Sequence, residues 1–217
     1  MAEVETKKRK LEEYDPNRRI PVTVLTGFLG SGKTTLLNLL SSLVRADVGA
    51  VEVAGQDLTQ LGESARDRFR ARSVGYMFQS FHLLDGFTAL ENVELGESFA
   101  GRKVDRVEAQ TLLEGLELGH RLDYSPSQLS IGQQARVALA RALAGSPQLI
   151  LADEPTGALD GRTAERILEL LLERGQALGA TLVVATHDPE IAARFDRTVA
   201  VEEVNEVQPV TAEEDWA

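Results

Sequence analysis

Residues 27–34 read Gly-Phe-Leu-Gly-Ser-Gly-Lys-Thr and satisfy the pattern G-x-x-x-x-G-K-[S/T]. An apolar stretch at residues 20–26 precedes the pattern, and leucines at helical spacing follow it between Thr34 and Val44. Glycines let backbone N–H groups approach phosphate oxygens, and the start of the helix adds the positive end of its dipole. The stretch therefore predicts an α/β fold with a phosphate-binding loop between a strand and a helix.

The loop supplies the first group of candidate binding residues. Lys33 is expected to bridge the β- and γ-phosphates of a nucleotide, and the Thr34 hydroxyl is expected to ligate Mg²⁺. The expected nucleotide-binding residues here are Gly27, Gly30, Ser31, Gly32, Lys33, Thr34 and Thr35. The loop alone does not distinguish ATP from GTP.

Two adjacent acids end a second apolar stretch, residues 149–152. Because ligands of a parallel sheet bind at the carboxyl ends of its strands, Asp153 is predicted to hold Mg²⁺. Neighbouring side chains diverge at a strand end, so Glu154 points elsewhere and is predicted to polarise the attacking water as general base.

Two further polar residues follow predicted strands. His187 comes after the apolar run 181–185 and is predicted to contact the γ-phosphate. Gln79 comes after the strand predicted at 74–78 and is predicted to touch both Mg²⁺ and the water. The expected catalytic residues are thus Glu154, His187 and Gln79, and the expected metal ligands are Thr34, Gln79 and Asp153.

The segment 81–145 is predicted to be helical, with helices near 105–118 and 130–144. We expect this helical subdomain to be inserted into a parallel-sheet core formed by 20–80 and 146–201. Residues 1–19 are expected to form a flexible charged tail, and 202–217 an acidic C-terminal tail.

The helix near 130–144 begins with a second potential anion site. Ser130 is a natural N-cap, and Gly132 leaves the backbone open to close approach. The insert is expected to hold this site away from its own phosphate loop. A second copy of the chain, arranged head-to-tail, would supply the nucleotide that it binds.

Composition limits the partners. The chain has 217 residues, with 23 Lys and Arg against 34 Asp and Glu, a net charge of −11. Such a charge repels phosphate backbones, so no nucleic-acid partner is expected. The chain contains no cysteine, which excludes thiolate catalysis and cysteine-ligated metals. No apolar run reaches the roughly 20 residues that a membrane span needs, so direct membrane insertion is not expected. We expect a cytoplasmic location.

The segments YMFQSFHLL (76–84), LSIGQQARVALARAL (129–143), LILADEPTGALD (149–160) and VVATHDPE (183–190) resemble the Q-loop, signature, Walker B with D-loop, and H-loop of ABC ATPases. The similarity covers roughly residues 48–200, and it is greatest to the lipoprotein-releasing and macrolide-efflux branch. The resemblance implies a P-loop NTPase core with an inserted helical subdomain. It also implies ATP and Mg²⁺ as cofactors, and it adds Gln133 and Asp160 to the nucleotide-binding residues.

The same resemblance implies the partners. An ABC ATPase of this type hydrolyses ATP as a head-to-tail homodimer and drives separate transmembrane subunits. Phe78 to Leu84 and the helical subdomain are the expected docking surface for those subunits. The chain would then be peripheral to the inner or plasma membrane through its partners.

The chain departs from the family in two places. Ile131 stands where the family usually has the first glycine of LSGGQ, and it is expected to weaken closure of the dimer. Residues 19–38 resemble CobW-type GTPases, and Tyr14 is the only aromatic residue before Gly27 that is available to stack on adenine.

Three other interpretations stay open at this point. One is an ABC ATPase that acts in translation or DNA repair. Another is a CobW-like GTPase metal chaperone, although the chain has neither cysteine nor an Asn-Lys-x-Asp guanine motif. The third is a composite or designed chain that binds nucleotide and turns it over weakly.

Overall fold

A parallel sheet forms the centre of the molecule. The structure is a computed structural model that describes residues 22–26, 32–195 and 197–204. The strands in this part of the chain are β1 (Val22–Thr26), β2 (Glu52–Val53), β3 (Gln56–Asp57), β4 (Val74–Met77), β5 (Leu149–Asp153), β6 (Thr181–Ala185) and β7 (Thr198–Ala200). The main sheet has the order β4-β5-β6-β1-β7 with all pairs parallel, and β2 pairs with β3 as an antiparallel hairpin. The predicted α/β class is confirmed.

Helices connect the strands and cover the sheet. They are α1 (Lys33–Leu40), α2 (Glu63–Ser73), α3 (Ala89–Phe99), α4 (Arg106–Glu114), α5 (Ile131–Leu143), α6 (Gly161–Leu178), α7 (Pro189–Ala192) and α8 (Val201–Val204), with a 3₁₀ turn at Pro126–Gln128. None of the helices in the described residues is long and apolar enough to cross a membrane.

Some predicted boundaries differ from the structure. Helix α1 ends at Leu40 instead of continuing to Val44, because Ser42 has a left-handed backbone conformation with φ of 58°. Leu43 and Val44 are consequently exposed. Glu202 and Glu203, expected in the acidic C-terminal tail, belong to α8, and residues 205–217 lie outside the described residues. The tail expected at 1–19 lies outside the described residues.

The core joins the helical region 81–145 to the sheet. Every residue of β5 is buried, as expected for a strand with helices on both faces. Helix α5 packs against α3, α6 and β4. Leu90 of α3 and Leu139 of α5 share one buried cluster with Ile150 of β5 and Leu182 of β6. The helices that follow residue 81 therefore lie on a core that includes the strands.

Gly96 lies where α3 packs against α5. A Cβ atom at this position would lie 2.6 Å from the carbonyl oxygen of Arg141 and 3.2 Å from Cβ of Ala144. The first of these distances is shorter than any normal contact, and backbone cannot yield as a flexible side chain does. Glycine at position 96 thus lets the two helices pack closely.

We expect Gly96→Ala to destabilise the fold by about 1–3 kcal/mol, the usual effect of overpacking a core. Helix propensity alone predicts the opposite sign, a gain of up to about 1 kcal/mol. Gly161→Ala, in the first turn of α6 where a Cβ meets nothing within 4 Å, is the matched control and is expected to be neutral or stabilising. Urea unfolding of both variants measures the difference. Stabilisation of Gly96→Ala would contradict the proposed close contact.

Candidate functional site

The parallel sheet brings the predicted chemical groups to one edge. Strands β4, β5, β6 and β1 are neighbours and run in the same direction, so their carboxyl ends lie side by side. Met77 pairs with Ala152, Asp153 pairs with Ala185, and Leu25 pairs with Ala185 as well. The residues that follow β1, β4, β5 and β6 therefore meet at the edge where ligands of such sheets bind.

Helix α1 brings the end of the phosphate loop to this edge. Gly32 is its N-cap residue and has φ of 95°, a conformation that favours glycine. Lys33 follows in the first turn and is 7% exposed, whereas Thr34 and Thr35 are exposed. Gly27, Gly30 and Ser31, together with Tyr14, lie outside the described residues. The structure thus places four of the seven predicted loop residues.

Asp153 ends β5 beside the start of α1. It is 5% exposed, and burial raises the pKa of its carboxyl group. A hydrogen bond with the Thr34 side chain and the charge of Lys33 lower that pKa, while the charge of Glu154 raises it. These interactions join the second half of the loop motif to the acidic pair. A buried carboxylate between a hydroxyl and an ammonium group is suited to hold a cation.

Glu154 has a left-handed backbone, with φ of 45°. Such a conformation is uncommon for a residue with a side chain, and it costs free energy that the surrounding structure must offset. The Glu154 N–H donates to the carbonyl of Ala185 at 2.9 Å, which ties the strained residue to the end of β6. Because of this turn, the buried Glu154 side chain points in a different direction from that of Asp153.

His187 faces the Glu154 carboxylate. Its Nδ1 lies 2.8 Å from Oε1 of Glu154, while about half of the imidazole is exposed. Thr186 fixes the chain just before it, because the Thr186 N–H donates to Leu25 and its hydroxyl accepts from Asp188. The contact through Nδ1 leaves Nε2 on the opposite side of the ring.

Gln79 lies in the exposed turn that follows β4. The turn is built from stacked rings, since Phe78 stacks on Tyr76 at 4.0 Å and on His82 at 4.9 Å between centroids. Phe81 and His82 both have positive φ angles, of 58° and 47°. The structure therefore brings Gln79 to the predicted edge, in a segment with its own fixed shape.

Two side chains that the sequence analysis did not select hold this turn. Arg141 of α5 donates to the carbonyls of Phe81 and His82 at 2.6 Å each. Asn92 of α3 is fully buried and accepts from the Leu84 N–H while its amide donates to nearby carbonyls. A polar residue beside apolar ones, Asn92 next to Val93 and Arg141 between Ala140 and Ala142, was the available signal.

The predicted signature segment starts α5 as expected. Ser130 caps the helix, since its hydroxyl accepts from the Gln133 N–H at 3.3 Å. The Gln133 side chain accepts in turn from the Ser130 N–H at 3.0 Å, which completes a capping box. Ile131 is 52% exposed in the first turn. The predicted N-cap is confirmed.

Asp160 caps the neighbouring helix α6. Its carboxylate accepts from the backbone and the hydroxyl of Thr163, and these hydrogen bonds lower the pKa of Asp160. A Cβ at Gly132 would lie only 2.6 Å from Cγ2 of Thr163. Thr163 therefore connects the cap of α6 to the first turn of α5.

The sequence matches one known protein family. A model described as the ABC transporter family matches residues 18–157, well over half of the chain. The chain belongs to the ABC transporter family. The match includes residues 19–38, the stretch that resembles CobW-type GTPases. The predicted family is confirmed, and cassettes of this family bind and hydrolyse ATP.

Relatives of this ABC cassette share nearly half of its residues. It is 48% identical over 177 residues to the "Lipoprotein-releasing system ATP-binding protein LolD" of Xylella fastidiosa, covering 81% of the chain and 74% of that protein. It is also 48% identical over 185 residues to the "Uncharacterized ABC transporter ATP-binding protein YbbA" of Escherichia coli, covering 83% and 80%. The expected likeness to the lipoprotein-releasing branch is confirmed.

Solved ABC cassettes share the fold. The structure is similar to that of MJ0796 in a dimeric, post-hydrolysis state bound to ADP and Pi, with a TM-score of 0.76 and 39% identity over 83% of this chain and 80% of that one. A second dimeric structure of MJ0796 also gives a TM-score of 0.76, with 40% identity. The likeness to these dimeric ABC cassettes confirms the predicted fold.

A double-mutant cycle tests the contact between α5 and α6. Gly132→Ala is expected to destabilise the fold by about 1–3 kcal/mol, because the new methyl overlaps Cγ2 of Thr163. Thr163→Ser removes that methyl and keeps the hydroxyl that bonds Asp160. The double variant should therefore be more stable than the sum of the single effects predicts, as measured by urea unfolding. Strict additivity would show that residues 132 and 163 do not touch.

Proposed function

We propose that two copies of this ABC cassette close head-to-tail over two ATP molecules and drive separate transmembrane subunits. Each nucleotide would lie between the phosphate loop of one copy and the start of α5 of the other. The observation that carries the proposal is the meeting of Lys33, Thr34, Asp153, Glu154 and His187 at one sheet edge. The dimeric state of MJ0796 supports the arrangement.

The start of α5 suits an anion from another molecule. The side chains of Ser130 and Gln133 each accept a hydrogen bond from the other residue's backbone N–H, which orders the first turn of α5. The backbone N–H groups of that turn have no partners within an α-helix and carry its positive dipole end. Gly132 adds no side chain to this turn, where a Cβ would meet Thr163 of the same copy. Together with Asp160, these residues form the proposed second half of each nucleotide site.

The residues at the sheet edge fit Mg²⁺ as well as ATP. The Asp153 carboxylate and the Thr34 hydroxyl are oxygen donors, which Mg²⁺ prefers, and they are hydrogen-bonded to each other. Gln79 is a third candidate ligand in the exposed turn after β4. These residues would hold Mg²⁺, whose positive charge would neutralise the negative charge that develops on the phosphates.

Glu154 is the proposed general base. Its carboxylate is buried and held by a fixed backbone turn, so it can orient a water molecule with little reorganisation. His187 positions that carboxylate through Nδ1 and would contact the γ-phosphate with its other face. Lys33 and the proposed loop residues Gly27, Gly30, Ser31, Gly32 and Thr35 would hold the phosphates.

The transmembrane partners are proposed to dock on the turn Phe78 to Leu84 and on the adjoining helical subdomain, residues 81–145. We further propose that these subunits attach the cassette to the inner membrane. Because the LolD relatives are named for a lipoprotein-releasing system, we propose lipoproteins as the substrates.

Glu154→Gln should bind ATP with nearly unchanged affinity and lose at least about 100-fold in turnover, because the amide cannot accept the water proton. Lys33→Ala is the matched control, and it should lose binding as well as turnover. Phosphate release and binding of a fluorescent ATP analogue separate the two effects. Undiminished hydrolysis by Glu154→Gln would refute the assigned base, while turnover of the unaltered chain equal to Lys33→Ala would favour the weak-turnover interpretation.

Ile131→Gly should strengthen the ATP-dependent dimer. Ile131 places an exposed branched side chain in the first turn of α5, where the γ-phosphate of the other copy would pack. We expect the substitution, made together with Glu154→Gln, to shift the dimer to lower protein concentration in sedimentation with ATP and Mg²⁺. Val107→Gly, which removes another exposed branched side chain from the first turn of a helix, here α4, is the control. An unchanged dimerisation constant would place Ile131 outside the interface.

A further inference from the structure

A cavity of about 520 Å³ lies among the ends of four helices, away from the residues assigned to the nucleotide. Its lining comes from the C-terminal ends of α3, α5 and α6 and from α4 between Val107 and Leu112. None of the proposed nucleotide-binding or catalytic residues lines it. The volume is that of a small-molecule site.

The walls of the cavity are mainly apolar. Leu112, Leu143, Ala144 and Ala177 line it, and Leu143 and Ala144 are buried. Its rim carries exposed apolar groups, since Val107 is 73% and Leu178 is 41% exposed. An apolar molecule of modest size would remove these side chains from water.

One buried carboxylate gives the cavity its polarity. Glu97 lines the cavity and is only 1% exposed. Its Oε2 accepts from the Asp105 N–H at 2.7 Å, whereas its Oε1 is buried and has no hydrogen-bond partner in the described residues. A buried carboxylate oxygen without a donor is costly, so this atom calls for a hydrogen-bond donor from a ligand.

Neighbouring charges favour a cation as the ligand. Asp105 and Glu108 line the same cavity, and burial together with these two acids raises the pKa of Glu97. Arg102 lowers that pKa, but its guanidinium is already bonded to Glu108 and to the Ala144 carbonyl.

Arg174 adds a positive charge to the wall and donates to the Gly115 carbonyl, while its own Nε is buried without a partner in the described residues. With Glu97, Asp105 and Glu108, the lining holds three acids against this one guanidinium, which favours a cation over an anion.

We propose that this cavity binds a small amphiphilic primary ammonium ion. The ammonium group donates to Oε1 of Glu97, and the apolar body lies along Leu112, Leu143 and Ala177. The ligand thus supplies the donor that the carboxylate lacks and covers the apolar rim. The site is independent of the proposed nucleotide chemistry.

Isothermal titration of the full chain with n-hexylammonium chloride tests the proposal. Saturable one-to-one binding is expected, and 1-hexanol should bind at least about tenfold more weakly because it lacks the charge. Equal binding of hexanol and hexylammonium, or no saturable binding of hexylammonium, would overturn the proposal.

Glu97→Gln should weaken hexylammonium binding at least about tenfold, since a charge-assisted hydrogen bond is lost. The amide oxygen can still accept from Asp105, so the fold is expected to persist. Glu114→Gln is the matched control, because this exposed acid lies on α4 outside the cavity lining, and it should bind like the unaltered chain. Equal affinity of Glu97→Gln and the unaltered chain would refute the site.

Ala177→Trp provides a second variant that does not depend on the carboxylate. Ala177 is exposed on α6 and lines the cavity, so an indole there should fill the space and abolish hexylammonium binding. Retained binding would place the ligand elsewhere. ATP hydrolysis, measured in parallel, is expected to be unchanged in Glu97→Gln and Ala177→Trp.

Discussion

The parallel pairing of β5 with β6, and of β6 with β1, is the constraint on which the candidate site depends. The register of each pair fixes the position at which the residue after the strand emerges from the sheet edge. The Thr186 N–H extends the ladder by bonding the Leu25 carbonyl, and the Glu154 N–H does the same with Ala185. Backbone hydrogen bonds, which tolerate little displacement, thereby place the acidic pair beside His187. A shift of one residue in either register would separate these groups.

Glu154 shows how the ladder and the chemistry depend on each other. The left-handed turn at this residue separates its side chain from that of Asp153, so that one acid faces Thr34 and the other faces His187. The turn is costly for a residue with a side chain, and the buried surroundings of β5 and β6 hold it in place. Asp153 and Glu154 carry the same charge and are adjacent in sequence, yet they can take different roles.

Much of the fold and part of the site could be predicted from the sequence because each rests on local pattern. The apolar runs before Asp153 and His187 are long enough to indicate buried strands, and Ser130 carries its capping signal in its own side chain. The chain alone could not show features that depend on distant neighbours. The left-handed turn of Glu154 requires Ala185 as a partner, and the closeness of Gly96 to α5 joins segments some 45 residues apart.

The two bonds of Arg141 have a consequence for motion. Arg141 is eleven residues beyond Ser130 on the same helix, which corresponds to a rigid rod of about 16 Å. Near the C-terminal end of this helix, Arg141 donates to the carbonyls of Phe81 and His82, and the N-terminal end is the first turn of α5. The turn after Gln79 cannot shift unless α5 moves with it or both hydrogen bonds of Arg141 break. A displacement of that turn would therefore tilt or shift α5 as a rigid body, and the first turn of the helix would move with it.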